Sequence, residues 1–110
     1  MSKQHKDITL RTWSKLNIYE QMANIGSEVI RSINWKKKKN KRFSRNSIER
    51  GLELLGLTIA DRKNKKHLKE LTRLWETLVD YFYYDNIYSS SDKSWKKYFL
   101  SFNYAARINK

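Results

Sequence analysis

The longest amphipathic stretch of the chain runs from Ser14 to about Lys39 and contains no proline. Its apolar residues recur every three or four positions, at Ile18, Met22, Ile25, Val29 and Ile33. This spacing places them on one side of an α-helix. The pattern predicts a first helix along which the other helices pack, with Thr12 or Ser14 as its N-cap and Asn40 as its C-cap.

Three further segments have a helical period. The second helix is predicted from Ser44 or Asn46 to about Thr58, the third from Asn64 or Lys65 to Tyr84, and the fourth after a cap at Ser91 or Asp92. Their apolar stripes are Ile48, Leu52, Leu55 and Ile59; Leu68, Leu71, Trp75, Leu78 and Phe82; and Trp95, Phe99, Phe102 and Ala106. Four amphipathic helices with short connections predict an all-α protein, an up-down-up-down four-helix bundle.

The bulk composition fits one domain over residues 1–110, with 1–12 as an extended lead-in. The chain has no proline, three glycines and no cysteine, which excludes a disulfide framework and thiolate chemistry. No apolar run approaches the ~18 residues that a membrane span requires. The N-terminus also lacks the apolar core of a signal peptide. We therefore expect a cytoplasmic protein with no membrane partner.

The net charge of +13 is concentrated in two places. The first basic cluster comprises Lys36, Lys37, Lys38, Lys39, Lys41, Arg42 and Arg45, and the second comprises Arg62, Lys63, Lys65, Lys66 and Lys69. The remaining twelve basic residues nearly balance the eleven acidic ones. In an up-and-down bundle the first cluster shares a pole with Lys93, Lys96 and Lys97, and the second cluster shares the opposite pole with Arg107 and Lys110.

Localised positive charge is what an anionic partner requires. Tyrosines and other aromatic residues, which can stack on bases, are abundant after position 80. We therefore expect a non-enzymatic module that binds RNA or DNA through Lys36, Lys37, Lys38, Lys39, Lys41, Arg42, Arg45, Lys93, Lys96 and Lys97. Two alternatives stay open. The exposed aromatics could form a homodimer or protein-partner interface, and the lysines could reflect drift in an A+T-rich genome.

Side chains suited to acid–base or metal chemistry are few. The chain has two histidines, His5 and His67, and two carboxylate pairs at helical spacing, Glu49 with Glu53 and Glu76 with Asp80. Arg45 and Arg73 stand within helical reach of these pairs, which favours ordinary surface ion pairs. A di-iron bundle would need Glu-x-x-His on two helices. The sequence therefore predicts no metal site, no cofactor and no small-molecule substrate.

One short motif points to catalysis. Arg62 and His67 form an Arg-x4-His pattern, which resembles the signature of HEPN-domain ribonucleases. The resemblance implies a small helical protein that cleaves RNA without a metal, with the Arg and the His lining a cleft at a dimer interface. It covers six residues. Lys63 departs from the family, in which a small polar or acidic residue follows the Arg, and the motif straddles a loop and a helix start.

A longer resemblance covers most of the chain. It rests on EQMANIGSEV at 20–29, LELL at 52–55, LTIAD at 57–61, VDYF at 79–82 and FNYAAR at 102–107. With Arg31, Trp35 and Tyr98, these segments resemble a family of small, uncharacterised prokaryotic all-helical proteins. The resemblance implies a helical fold and a prokaryotic source, and it implies no activity.

Overall fold

Five α-helices and one 3₁₀-helix form the structure, a computed structural model that describes residues 9–108. In chain order they are α1 (Leu10–Trp13), α2 (Ile18–Lys37), α3 (Lys41–Ala60), the 3₁₀-helix (Arg62–His67), α4 (Leu68–Tyr83) and α5 (Asp92–Ile108). No strand occurs within residues 9–108. The all-α class is confirmed, whereas the up-down four-helix topology is not.

The beginning of the chain differs from the prediction of an extended lead-in followed by one long helix. A capping box between Thr9 and Thr12 starts the short helix α1, and a second one between Asn17 and Glu20 starts α2. The N–H of Glu20 donates to Asn17 Oδ1 at 2.8 Å, which satisfies a free donor of the first turn. The break between the helices lets Trp13 turn into the core. Residues 1–8, with His5, and 109–110, with Lys110, lie outside the described residues.

Helix α2 packs against both α3 and α5, and α3 packs against α4. The predicted α2 stripe is buried from Met22 to Ile33, and Ile18 is half-buried at its start. On α5, Trp95, Phe99 and Ala106 are buried as the pattern predicted. The apolar periodicity therefore identified the inward faces of these two helices correctly.

Helix α4 buries a face different from the predicted one. Leu71 and Leu78 are buried, but Leu68 and Trp75 are exposed and Leu74 is buried instead. The 3₁₀-helix that precedes α4 takes up residues 62–67, so that the α-helix begins only at Leu68. Helix α4 packs on α3, and Leu74 lines a cavity together with Trp95 and Tyr98 of α5, so contacts with both neighbours determine which side chains of α4 are covered.

Buried polar side chains join α1, the start of α2 and the end of α3. Trp13 Nε1 donates to Thr58 Oγ1 at 2.9 Å, and Gln21 Nε2 donates to Asp61 Oδ2 at 3.0 Å. Asn64 Nδ2 donates to Gln21 Oε1 at 2.8 Å. Buried polar groups that are fully hydrogen-bonded specify one arrangement of the elements around them. The network therefore holds α1 and the 3₁₀-helix onto the α2–α3 pair.

Acid is expected to weaken this network through Asp61. Burial acts to raise the pKa of Asp61, but hydrogen bonds from Lys63 and Gln21 outweigh burial and lower it. A carboxylate with a lowered pKa in the folded state contributes stability above its ordinary pKa, near 3.8, and loses it as the pH falls through the folded value. In urea unfolding between pH 3 and 7, Asp61→Asn should flatten the loss of stability at the acid end.

The control for this experiment is Asp85→Asn, which removes an exposed carboxylate. Asp85→Asn should leave the acid dependence close to that of the wild type. Parallel stability curves for wild type and Asp61→Asn below pH 4 would contradict the role given to Asp61.

The segment between α4 and α5 is organised by Asp80. This buried carboxylate accepts hydrogen bonds from the backbone N–H of Ile87 at 3.0 Å and of Tyr88 at 3.1 Å. The prediction of a surface ion-pairing role for Asp80 is therefore wrong. Its local function is to hold a turn that leaves Tyr84, Ile87 and Tyr88 exposed.

Candidate nucleic-acid interface

The turn between α2 and α3 carries most of the first basic cluster. Asn40 N–H donates to Trp35 O at 2.9 Å and Lys39 N–H donates to Lys36 O at 3.0 Å, the bonding pattern of a Schellman motif. Lys39 takes the left-handed position, with φ of 61°. Asn40 Oδ1 accepts from Phe43 N–H at 3.0 Å, so the Asn40 side chain caps α3, and the C-cap of α2 is Lys38 rather than the predicted Asn40. Seven cations are thereby concentrated around one tight turn.

Two buried serines hold the helices together next to this turn. Ser32 Oγ donates to Ser44 O at 2.7 Å, and Ser44 Oγ donates to Ser32 O at 2.8 Å. Small side chains allow the two backbones to approach closely, and each hydroxyl is satisfied by the other helix. The geometry of the turn is therefore set by packing beneath it, and not by the exposed lysines.

We call the ten predicted residues, which lie at this turn and at the start of α5, the basic pole: Lys36, Lys37, Lys38, Lys39, Lys41, Arg42, Arg45, Lys93, Lys96 and Lys97. Nine of them are exposed and Lys96 is partly exposed. Lys36, Lys41 and Arg45 line one cavity of about 190 Å³. Lys39 and Arg42 belong to the same α2–α3 turn, whereas Lys93 and Lys97 are on α5.

Helix α5 brings a cation from a distant part of the chain to the end of α2. Ser91 caps this helix as predicted, since its Oγ accepts from Ser94 N–H at 3.0 Å. The proximity and positive charge of Lys37 on α2 lower the pKa of Lys96, with a smaller opposing effect from Asp92. The fold thus brings two like charges near each other at the surface.

Neutralising Lys96 is expected to stabilise the protein. Because the folded state lowers the pKa of this lysine, its charged form is disfavoured there at neutral pH, and the penalty is relieved as the pH rises from the folded pKa toward the ordinary value of 10.5. Lys96→Gln should raise the thermal midpoint at neutral pH and low salt, with a difference that shrinks in 1 M NaCl by screening. Lys97→Gln, on the same helix, should raise it less. A fall in the midpoint for Lys96→Gln would show that Lys37 does not oppose it.

Aromatic rings lie beneath several of these cations. The cation-to-centroid distances are 5.0 Å for Lys36 over Tyr81, 4.5 Å for Arg45 over Tyr83 and 5.2 Å for Lys38 over Trp35. Such contacts hold long side chains against the surface. Phe43 packs edge-on against Trp35 with 4.9 Å between centroids and is 44% exposed. The basic pole therefore has an exposed aromatic ring, Phe43, among its cations.

The C-terminal end of α4 forms part of this surface, which the predicted residue set did not include. The Tyr81 hydroxyl donates to Asp92 at the start of α5, and burial together with this acceptor raises the pKa of Tyr81. Burial also raises the pKa of Tyr83, against the opposing effect of Arg45. The sequence signal for this region was that the C-terminal half carries more aromatic residues than helix faces of this period can bury. The sequence did not show which of these rings would contact which cations.

The structure separates the two residues of the ribonuclease-like motif. Arg62 is exposed and, with Lys65, lines a cavity of about 400 Å³. His67 is half-buried and, with Tyr19 and Met22, lines a different cavity of about 80 Å³. The two residues of the motif therefore line different cavities of the described structure. The ribonuclease hypothesis therefore rests on the six-residue match alone.

A further cavity of about 260 Å³ lies between α4 and α5. Its lining comprises Glu70, Arg73, Leu74, Thr77, Trp95 and Tyr98. The buried indole N–H of Trp95 has no hydrogen-bond partner within residues 9–108. Burial, with a smaller effect from Glu70, raises the pKa of Tyr98 to about 12, so the phenol is neutral at physiological pH. The prediction that the protein has no small-molecule substrate stays untested.

In the part of the chain that the structure describes, no group of three or more His, Asp or Glu side chains is placed to hold a metal ion. Across the same residues, no helix combines the length and apolarity needed to cross a bilayer.

Comparison of the chain with models of protein families, with curated proteins and with solved structures gave no match.

Proposed function

We propose that this protein is a small, non-enzymatic module that binds RNA or DNA through the basic pole. The observation that carries the proposal is geometric: Lys36, Lys41 and Arg45 line one cavity beside the α2–α3 turn. The charge of Lys37 also acts on Lys96 of α5. A surface whose fold forces like charges together gains free energy when an anion occupies it. Phosphates supply such an anion at regular spacing, and neutralising them releases condensed counterions.

The spread of the cations supports a polyanion rather than a single small anion. The cations lie along the α2–α3 turn and the start of α5, and two of them, Lys36 and Arg45, lie over aromatic rings. Phe43, exposed beside Trp35, offers a face on which an unpaired base could stack. These features favour contacts with a phosphate backbone along a surface.

The proposal includes the up-down-up-down course predicted for the four long helices. Its support is that Lys37 meets Lys96 and Tyr81 meets Asp92, which bring the ends of α2 and α4 to the start of α5. In this course the second basic cluster lies at the opposite pole. Consistent with this, Asp61, which precedes that cluster, bonds to Gln21 near the beginning of α2.

The test is fluorescence anisotropy with labelled single-stranded RNA and duplex DNA, titrated from low to physiological salt. One variant changes Lys36, Lys37, Lys38 and Lys39 to Ala. If all four contact phosphates, the salt slope on duplex DNA should flatten by up to about 3.6, and on single strands by up to about 2.8.

The matched control changes Arg62, Lys65, Lys66 and Lys69 to Ala, which removes the same charge from the opposite pole. Its salt slope should stay closer to that of the wild type. Equal losses in the two variants would mean that binding follows net charge. Negligible wild-type binding at physiological salt would contradict the proposed function.

A protein-interaction role is the second candidate, because apolar side chains are exposed together at the end of α4. Tyr84 is 75% and Ile87 76% exposed, and with Trp75 and Tyr88 they border a cavity of about 470 Å³. Contiguous exposed apolar patches often mark sites of protein–protein interaction. Sedimentation velocity should then show a dimer that the double variant Tyr84→Ser, Ile87→Ser dissociates.

A further inference from the structure

Helix α5 has two apolar faces, and only one of them is used by the fold. Trp95, Phe99 and Ala106 are buried on the inward face. On the opposite side, Leu100, Tyr104 and Ile108 are 64%, 66% and 62% exposed. A single exposed leucine is ordinary in a folded protein. Three large apolar side chains in one row along a helix require a different explanation.

The spacing of this row is that of a packing ridge. Leu100, Tyr104 and Ile108 follow one another at intervals of four residues, the ridge that helices insert into the grooves of other helices. At 1.5 Å per residue the row spans about 12 Å, a little more than two turns. A helix of about three turns would cover it.

The flanks of the row are basic. With 3.6 residues per turn, Lys93, Lys97 and Arg107 fall with the three apolar residues within an arc of about 100°. The segment 92–108 contains one acidic residue, Asp92, and this carboxylate accepts a hydrogen bond from Tyr81. The outward face of α5 therefore combines an apolar ridge with positive charge. A partner surface complementary to it is apolar and negatively charged.

We infer that the outward face of α5 binds an acidic amphipathic helix of a partner protein, whose apolar side chains cover Leu100, Tyr104 and Ile108 and whose carboxylates meet Lys93, Lys97 and Arg107. Helices pack by inserting such a four-residue ridge into the groove between the ridges of a partner helix. Charge complementarity around the anchors fixes the register and speeds association.

The same charges disfavour the two other occupants. A second copy paired antiparallel through this face, with Leu100 of one chain against Tyr104 of the other, would set Lys97 against Arg107 of the second copy, and such like-charge contacts oppose association. Nucleic acid would suit the cations and could stack on Tyr104. It would leave Leu100 and Ile108 beside a charged backbone, where they gain little from burial.

The experiment uses the full chain and a synthetic, end-capped acidic peptide with leucines at a and d heptad positions and glutamates on their flanks. We expect saturable binding in calorimetry at physiological salt. The double variant Leu100→Ser, Ile108→Ser should lose at least about tenfold in affinity. Both side chains are more than half exposed, so the fold should be unaffected. The control Leu10→Ser, Leu68→Ser removes exposed apolar groups from other helices and should keep the wild-type affinity.

A charge-reversal variant provides the second test of the inference. Lys97→Glu with Arg107→Glu should abolish binding of the acidic peptide and create binding of the same peptide with lysine in place of glutamate. Several outcomes would overturn the inference: no binding of the acidic peptide, equal binding of a scrambled peptide, a homodimer dissolved by the serine pair, or RNA binding weakened by the serine pair. Because no nucleic acid is needed for peptide binding, failure here is distinguishable from failure of the proposed function.

Discussion

Replacing Trp13 with alanine is expected to lower the free energy of unfolding by about 3–5 kcal/mol. The indole is 4% exposed in the core, and its Nε1 donates to Thr58 at 2.9 Å. Truncation removes this bond and leaves a cavity that a four-residue helix next to a turn can fill only by collapsing. The backbone oxygen of Trp13 also accepts from Gln21, so the loss should extend to the buried network.

Guanidinium unfolding of Trp13→Ala, Trp13→Phe and Leu10→Ala measures the parts of this effect separately. Trp13→Phe keeps most of the volume and should isolate the hydrogen bond, worth about 1 kcal/mol. Leu10 is on the same short helix but 41% exposed, and its truncation should cost well under about 1 kcal/mol. Similar losses for Trp13→Ala and Leu10→Ala would show that α1 is not anchored by its tryptophan.

Gly26→Ala is expected to destabilise the protein by about 2–3 kcal/mol, although alanine is the better helix former. A Cβ at this position would lie 2.7 Å from three atoms of Phe99, including its Cβ. Phe99 is fully buried, stacked on Trp95 with 6.0 Å between centroids, and cannot swing away. The helices α2 and α5 would have to separate along their contact.

The matched control is Gly56→Ala, in the interior of α3. There an added Cβ would meet Trp75 Cζ3 at 3.8 Å, an ordinary contact, so this variant should gain about 0.5–1 kcal/mol from helix propensity. Thermal melts should therefore move in opposite directions for the two substitutions. A Gly26→Ala protein as stable as the wild type would contradict the close approach of α2 and α5.

The sequence pattern was most informative where helices are long and buried on one side. On α2 and α5 the three- and four-residue spacing identified the core face, because a continuous stripe can be covered only by turning it inward. On α4 the same logic selected Leu68 and Trp75, which are exposed, and omitted Leu74, which is buried. Other helices cover less of the surface of α4, so its apolar stripe did not determine which face of the helix turns toward the core.

Short elements depended on partners elsewhere in the chain. Helix α1 has four residues, too few to be stable alone, and it persists because Trp13 meets Thr58 and Gln21. The 3₁₀-helix is tied down in the same way by Asn64, which bonds to Gln21. The apolar period of the sequence does not predict such bonds, because bonded residues such as Gln21 and Asp61 lie 40 positions apart in the chain.

The sequence by itself determined that the protein is helical, where its long helices lie and that its positive charge is concentrated at residues 36–45 and 62–69. These follow from local spacing and composition. Only the tertiary structure decided that Lys96 meets Lys37, that Tyr81 and Tyr83 lie under Lys36 and Arg45, and that Leu100, Tyr104 and Ile108 remain outside the core. The physical reason is that helix packing chooses which faces touch, and with them which distant side chains become neighbours.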